Sequence, residues 1–198
     1  MPKNVDHEKR RAQLAETGST LVAEEGLEAA TMRRLAAAAG CTTGLVTHYF
    51  SNREQMLLAM LRSVHDAAAA RMLAIISSTS SPRAQLEAVL RESLPLKTAS
   101  FREWRVWLAF WGAVPSSAAL AAEHKLRYAE WRQLLLVLVK NACGAEEQTV
   151  VTRLMALVDG FGLQIAMCTS PRTAEARVLH EECLLALGEV LDAAGIAD

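Results

Sequence analysis

The sequence lacks the features that mark secreted, membrane-spanning and metal-binding proteins. Its four cysteines form no C-x-x-C pair and do not combine with the five histidines at metal-ligand spacing, so we expect neither a metal site nor a disulfide framework. The longest strongly apolar run, Leu134 to Val139, is far shorter than the roughly 20 residues that cross a bilayer. The N-terminal residues contain no apolar signal-peptide core. These absences predict a soluble, cytoplasmic protein with no membrane partner.

An excess of one charge is also missing, and aromatic residues are few. Lys and Arg number 21 against 22 Asp and Glu, so the composition by itself does not point to a nucleic-acid partner. The hydrophobic share of 52% in 198 residues excludes disorder as the main state and is enough for a core. Aromatic residues make up only 5%, yet most of them lie between Phe101 and Trp131. That uneven distribution requires an explanation.

What the chain does contain is a surplus of helix-forming residues, without runs of alternating β-branched residues. Glycines, prolines and capping residues divide it into about nine helical segments, so we predict an all-α fold. The first three segments, over about residues 7–50, are one long helix and two short ones. Ser51-Asn52-Arg53-Glu54 has the form of a capping box that opens a long fourth helix. We therefore predict a head at residues 1–50 and a body at residues 51–198.

The two short segments of the head have the spacing of a helix-turn-helix, with Gly40-Cys41-Thr42 between them. Gly40 permits a left-handed backbone in the turn, and Thr42 is suited to cap the second segment. Gly44 in the first turn of that segment costs about 1 kcal/mol of helix stability relative to Ala. Two explanations are open for Gly44: a close contact between helices, or close approach to a DNA backbone. By spacing alone, the helix pair fits a core hairpin as well as a DNA reader.

The residues around this turn resemble the DNA-binding head of the tetracycline-repressor (TetR) family over residues 9–58. The resemblance rests on Leu35-Ala36, Ala39-Gly40, Thr42-x-Gly44 and the Thr47-His48-Tyr49-Phe50 end of the segment. Two positions depart from the family: Cys41 replaces the usual Val, and Thr47 replaces a Tyr that commonly touches the DNA backbone. By resemblance, Arg53 would meet a phosphate from the start of the fourth helix. The residues that the resemblance implies in or next to the recognition helix as DNA-binding are Thr42, Thr43, Gly44, Leu45, Thr47, His48 and Tyr49.

Basic residues cluster at two further places in the head, Lys9-Arg10-Arg11 and Arg33-Arg34. Such clusters usually mark a solvated face. Beside a helix-turn-helix, however, phosphate contacts set the register of docking, so we expect DNA contacts here, Arg33 included. The near-neutral total charge therefore conceals these local basic clusters at the N-terminal end of the chain.

The aromatic cluster of the body follows one helical face, since Phe101, Trp104, Leu108 and Trp111 fall within about 80° of a helical wheel. An ordinary core seam and the wall of a ligand pocket are both consistent with this stripe. A tryptophan-rich wall would suit a cationic ligand.

Two stretches of the body, residues 107–111 and 156–160, resemble the sensor motifs of the choline-responsive betaine-gene repressors (BetI) within the TetR family. The resemblance implies a regulator that a small-molecule effector releases from DNA, without fixing the effector. We expect the effector to be cationic or largely apolar. The residues predicted to bind it are Trp104, Trp107, Phe110, Trp111, Tyr128, Trp131 and Asp159.

The last two helical segments are apolar on more than one face, and a helix that is apolar all round has to be buried. A two-fold partner is the simplest way to bury a terminal helix, and the family resemblance implies the same four-helix interface. The residues predicted at this interface are Val151, Leu154, Val158, Phe161, Leu184, Leu187 and Leu191.

We therefore predict a ligand-responsive transcriptional regulator, most simply a homodimeric repressor that leaves a palindromic operator when its effector binds. The alternative is a helical ligand-binding or enzymatic bundle with no DNA role. Against that alternative, the sequence has no nucleophile beside a base, no paired carboxylates at motif spacing and no Gly-rich phosphate loop. We expect no catalytic residue, no metal and no cofactor.

Overall fold

The computed structural model describes residues 2–196, with side chains from residue 6 onward. Over this range the chain forms nine α-helices and two short 3-10 turns and contains no strand, which confirms the predicted all-α fold. The helices are α1 (Pro2–Glu25), α2 (Met32–Ala38), α3 (Thr43–Tyr49), α4 (Arg53–Ser78), α5 (Pro82–Ser93), α6 (Thr98–Ala113), α7 (Ala118–Cys143), α8 (Gln148–Met167) and α9 (Ala174–Ala193).

Capping side chains fix several of the helix starts. The hydroxyl oxygen of Thr31 accepts a hydrogen bond from the Arg34 amide at 3.2 Å, and Ser81 and Thr173 cap α5 and α9 in the same way. The predicted capping box at the start of α4 is wrong by one residue. Asn52, not Ser51, accepts the hydrogen bond from the Gln55 amide, at 2.9 Å. Asparagine caps a helix as well as serine does, so local sequence does not decide between neighbouring candidates.

The chain divides into two compact units, and α4, α6 and α7 contribute residues to both. The first unit contains the described residues up to Ala67 together with Arg105–His124. Its hydrophobic core joins side chains of α1–α4 to residues of α6 and α7; among them are Leu14, Leu35, Val46, Phe50, Met56, Met60, Phe110 and Leu120. The predicted boundary at residue 50 stays a prediction.

Helices α1 and α4 approach each other closely in the first unit. A side chain at Gly18 would overlap with Met60, and the hydroxyl of Ser19 donates to the Met60 carbonyl at 3.1 Å. The small residues Gly18 and Ser19 thus allow α1 to pack closely on α4.

The second unit contains Ala68–Trp104 and the chain from Lys125 onward. Within it α8 packs along α9. The carboxylate of Glu92 is buried here and accepts hydrogen bonds from Arg71 Nε and Lys97 Nζ, both at 2.7 Å. Burial works to raise the pKa of Glu92, but the hydrogen bonds and charges of Lys97 and Arg71 outweigh it, so the pKa lies below its ordinary value.

Helix α8 is the one described helix that is long and apolar enough to span a membrane by length and composition. Its side chains pack instead into the second unit, where 44% of its most apolar window is buried. A core helix of a soluble protein has these properties.

Candidate DNA-binding and effector sites

Helix α3 is fixed on one side and exposed on the other. Val46 and the following Phe50 are completely buried in the core of the first unit. Thr42 caps the helix, its hydroxyl oxygen accepting from the Leu45 amide at 3.2 Å. The exposed residues of the cap and helix are Thr42, Thr43, Gly44, Thr47 and His48, whereas Leu45 and Tyr49 are partly buried. The predicted recognition helix therefore presents a short polar face on a rigid base.

The turn before α3 needs a left-handed residue. Gly40 has a φ of +61°, and the Cys41 amide then donates to the Ala36 carbonyl at 2.9 Å, which closes the end of α2. Cys41 is partly buried and packs against the core of the unit, where the family usually has Val.

Gly44 has no helix packed against it. A Cβ atom at this position would meet only its own capping hydroxyl, that of Thr42, at 3.9 Å. The explanation by close helix packing is therefore excluded. The space in front of Gly44 is open to solvent and leaves close approach of a partner as the remaining explanation.

Thr47 is exposed on α3. Its hydroxyl donates to the Gly44 carbonyl within α3, at 3.0 Å. The hydroxyl hydrogen is used inside the helix, so toward a partner Thr47 presents its methyl group and an acceptor oxygen.

The arginines of the head differ in what they are free to do. Arg33 is exposed, while Arg34 forms an ion pair with Glu25, with a 2.7 Å hydrogen bond. Arg53 donates from Nε to the Ala30 carbonyl at 3.0 Å and from Nη2 to the Leu27 carbonyl at 2.7 Å. Arg53 thus ties the start of α4 to the segment before α2, and its predicted phosphate contact has to use the remaining guanidinium N–H groups.

One feature of the head was not expected from the sequence. The imidazole of His7 on α1 lies against Tyr49, with ring centroids 4.4 Å apart, and 5.4 Å from the ring of His48. No sequence signal links an isolated histidine at the start of α1 to the end of α3, because the contact depends on how the helices pack.

In the second unit, Trp104 is buried and already bonded. Its indole N–H donates to the Ser93 carbonyl at 2.8 Å, and its ring lies against Gly162, where any side chain would overlap with it. Trp104 therefore joins α5, α6 and α8, and its first role is structural.

Tyr128 and Asp159 form a polar pair between α7 and α8. The phenol donates to Asp159 Oδ2 at 2.7 Å. Burial, followed by the hydrogen bond and charge of Asp159, raises the pKa of Tyr128 above its ordinary value, so the phenol remains a donor at neutral pH. Trp131, one turn further along α7, is partly buried. These residues bring an aromatic surface and a carboxylate into the same unit.

The other predicted effector residues belong to the first unit. Phe110 is completely buried in its hydrophobic core, and Trp107 packs against that core. The ring of Trp111 lies edge-on to His124 at a centroid distance of 6.2 Å. The structure thus divides the predicted aromatic stripe between two units and gives Phe110 a packing role.

The predicted dimer residues are mostly used inside the protomer. Five of them have at most 3% of their surface exposed, so they have no side-chain area left for a partner: Val151, Leu154, Val158, Leu187 and Leu191. Phe161 and Leu184 remain partly exposed. The large apolar side chains that α8 and α9 expose are different ones: Leu163, Met167, Val178 and Leu185.

No group of three or more His, Cys, Asp or Glu side chains that could hold a metal ion occurs among the residues that the structure describes. All four cysteines are free thiols, and Cys183 is buried, which raises its pKa to about 11. An unreactive, apolar role fits the Cys183 thiol.

Two family models match the chain. The model of bacterial regulatory proteins of the tetR family matches residues 14–60, and the model of the C-terminal domain of BetI-type transcriptional repressors matches residues 82–187. The HTH-type transcriptional regulator PksA of Bacillus subtilis is 32% identical over 90% of this chain and 88% of its own length. The HTH-type transcriptional regulator BetI of Paraburkholderia phymatum is 30% identical over 89% of this chain and 91% of its own length.

Solved structures have the same fold. A transcriptional regulator from Rhodococcus sp. Rha1 superposes with a TM-score of 0.81 at 29% identity, covering 95% of this chain and 99% of its own. A regulator from Saccharomonospora viridis, solved in complex with choline, has a TM-score of 0.80 at 21% identity, with 93% and 96% covered. These matches leave no place for the alternative of an enzymatic bundle without a DNA role. The chain belongs to the TetR family and is a DNA-binding transcriptional regulator with a BetI-type C-terminal domain.

Proposed function

We propose that this regulator is a cytoplasmic homodimeric repressor that binds a near-palindromic operator through α3 and is released by a small cationic effector. In this proposal residues 1–50 form the DNA-binding domain, and residues 51–198 bind the effector and form the dimer. The observation that carries the DNA part is the exposed polar face of α3, held by the buried Val46 and Phe50.

The proposed DNA surface uses its residues in two ways. The exposed threonine Thr43 faces the base edges, where hydrogen bonds and methyl contacts specify sequence, and the open space at Gly44 lets the DNA backbone approach closely. The exposed Arg33 on α2 meets phosphates, which position the head without reading sequence. The proposed contact set also includes six further residues of the head and the start of α4: Thr42, Leu45, Thr47, His48, Tyr49 and Arg53.

Fluorescence anisotropy with a labelled duplex from upstream of the chain's own gene tests this surface. We expect Arg33→Ala to weaken binding to all duplexes about equally and to lower the salt slope by about 1, while Thr43→Ala changes the preference among operator variants. Thr149→Ala, an exposed threonine on α8, is the matched control and should behave as wild type. Binding that does not respond to salt would contradict a DNA role, and unchanged preference in Thr43→Ala would contradict the reading by α3.

The proposed effector site is centred on the Asp159 carboxylate, the Tyr128 phenol and the partly buried Trp131, with Trp104 as a supporting wall of the same unit. A carboxylate beside aromatic rings favours a cation, by charge and by cation–π attraction. The choline bound by the fold relative from Saccharomonospora viridis supports the choice of a quaternary amine as the first candidate. That Trp107, Phe110 and Trp111 contact the effector remains a prediction.

A thermal-shift titration with choline and its neutral isostere 3,3-dimethylbutanol tests the effector class. A ligand that binds the folded protein raises the melting temperature by mass action, so we expect a shift with choline and none with the isostere. Asp159→Asn and Trp131→Leu should lose the shift, whereas Asp66→Asn on α4, the matched control, should keep it. Equal shifts with both compounds would contradict a cation site.

The proposed dimer uses the outward apolar side chains of α8 and α9, with Phe161 and Leu184 at its border. A symmetric pair of these helices would bury Leu163, Met167, Val178 and Leu185, which the protomer leaves 40–70% exposed. Two heads then read half-sites about one helical turn of DNA or more apart. The effector lowers operator affinity by binding best to the arrangement in which the heads do not match that spacing.

A further inference from the structure

Three aromatic rings meet where the start of α1 reaches the end of α3. The His7 imidazole packs on the Tyr49 ring at 4.4 Å, and His48 closes the group at 5.4 Å from His7 and 5.3 Å from Tyr49. Both histidines are exposed, while Tyr49 is partly buried beneath them. We call His7, His48 and Tyr49 the imidazole cluster.

The position of the imidazole cluster places it on the proposed DNA surface. His48 belongs to the exposed face of α3 together with Thr47, so a ring that packs beside it borders the same face. His7 lies outside residues 14–60, which match the family model, so the match does not account for it. The ring is held in place by Tyr49 and is not an unattached surface side chain.

The charges near the cluster leave its imidazoles unneutralised. No carboxylate among the described residues lies within ion-pair distance of His7 or His48. On α3 the His7 ring faces the rings of Tyr49 and His48. The charged neighbours of His7 on α1 are Asp6, Glu8, Lys9, Arg10 and Arg11, of which Arg11 lies over the Phe50 ring at 5.3 Å.

Two cations of the head are committed elsewhere. Arg34 is paired with Glu25, and Arg53 holds the carbonyls of Leu27 and Ala30. Helix α3 itself has no Lys or Arg for the phosphates that flank a groove-bound helix, although such contacts form much of a protein–DNA interface. Imidazoles are able to supply them, since each donates from a ring nitrogen and becomes a cation near neutral pH.

We propose that His7, docked on Tyr49 beside His48, is a further DNA-contacting residue, and that the two imidazoles donate to backbone phosphates at the end of α3. The proposal rests on the proposed DNA-binding function. A phosphate that accepts from both rings favours their protonated form, because an opposite charge within hydrogen-bond distance favours the charged form of a group. Operator binding therefore takes up protons.

The test measures operator affinity by anisotropy at pH 6.0 and pH 8.0 over a salt series, for wild type and for His7→Phe. Phenylalanine keeps the ring on Tyr49 and removes the donor and the charge. Affinity falls as the salt concentration rises, with an exponent of about −0.9 per phosphate contact, so one imidazolium contact contributes about eightfold in affinity at 0.1 M salt relative to 1 M salt. We expect His7→Phe to lose up to this factor at pH 6.0, to lose little at pH 8.0, and to have a salt slope lower by about 0.9 at pH 6.0.

Two further variants complete the design. His7→Gln keeps a neutral donor and should match wild type at pH 8.0 while losing the gain at pH 6.0. His180→Gln, on α9 in the second unit, controls for loss of any histidine and should keep the wild-type pH response. If His7→Phe folds with the wild-type melting temperature and keeps the full pH response and salt slope, the proposal is overturned. If wild type fails to bind at either pH, the proposed function fails as well, which is a separate result.

Discussion

The head and the body present their functional residues in opposite ways. In the head, Thr43, Gly44 and His48 are exposed on a helix whose other side is fixed in a core. In the body, Trp104 and Tyr128 point into packed surroundings and already donate hydrogen bonds to Ser93 and Asp159. The head offers unused groups to a partner, whereas an effector in the body has to fit among groups that are already bonded.

Two glycines show the same difference between an open surface in the head and close packing in the body. Open solvent lies in front of Gly44 on α3, while the Trp104 ring lies against Gly162 on α8. A methyl group added at Gly44 would therefore clash with nothing in the protein and would meet only an incoming partner. The same group at Gly162 would affect the fold itself.

The largest expected effect is that of Gly162→Ala. The new methyl group overlaps with the Trp104 ring, which is held by its bond to Ser93, so α6 or α8 has to shift. Overpacking combined with loss of the tryptophan contact predicts a free energy of unfolding lower by about 3–4 kcal/mol, measured by urea denaturation.

Gly188→Ala on α9 is the matched control, because a Cβ atom there meets nothing within 4 Å. It should leave stability unchanged or raise it by up to about 1 kcal/mol through helix propensity. If the two variants are equally stable, the Trp104 ring does not pack against Gly162 as closely as the structure has it.

The next largest effect concerns the exposed apolar face of the body. Leu185 on α9 is 69% exposed in the protomer, so Leu185→Glu should leave the fold intact and disrupt the dimer. Loss of two leucine contacts per dimer predicts about 2–3 kcal/mol, or roughly 100-fold in the dimer dissociation constant, measured by analytical ultracentrifugation. Leu73→Glu on α4, where Leu73 is 60% exposed, is the control. A dimer that survives Leu185→Glu but dissociates in Leu73→Glu would move the interface away from α9.

Gly44→Ala should separate folding from DNA binding in the head. Alanine favours the helix by up to about 1 kcal/mol, so the free energy of unfolding should rise. Operator affinity should fall about tenfold, because the methyl group stands where the DNA backbone approaches. Gly112→Ala on α6, where a Cβ atom meets nothing within 4 Å, should give the first effect without the second. Unchanged operator affinity in Gly44→Ala would remove the close approach from the proposed interface.

The sequence predicts the head better than the body because the head depends on local signals. The N-caps Thr31 and Thr42 and the glycine turn at Gly40 act within a few residues, and the structure has each of them in place. Even there, contacts between distant segments were missed: nothing near His7 indicates Tyr49, and Arg53 turned out to hold two backbone carbonyls.

The body depends on contacts between distant segments, which local patterns do not contain. Phe110 lies on the opposite side of α6 from Phe101 by helical periodicity, a signal that the clustering of aromatics concealed. Helices α8 and α9 are apolar nearly all round, so their composition predicts burial without saying which side faces the protomer. That is why the predicted Val151, Leu154 and Leu187 are core residues while Leu185 is exposed.

The smallest expected effect tests whether the polar pair of the body is a fixed internal bond. Tyr128→Phe removes the hydrogen bond to Asp159, so the free energy of unfolding should fall by about 1 kcal/mol near neutral pH. Burial and Asp159 raise the pKa of Tyr128 in the folded protein, which means that the folded state holds the phenol proton more tightly than the unfolded state. The stabilisation is therefore fully present below the ordinary tyrosine pKa of about 10 and is lost as the pH rises above it.

Urea denaturation of wild type and Tyr128→Phe between about pH 7 and pH 11 measures this difference in stability. Groups that titrate alike in both proteins, such as Cys183, cancel in the difference. A stability difference that stays constant above pH 10, or none at neutral pH, would mean that Tyr128 is not bonded as the structure has it, and that the body, like the head, keeps this polar group free for a partner.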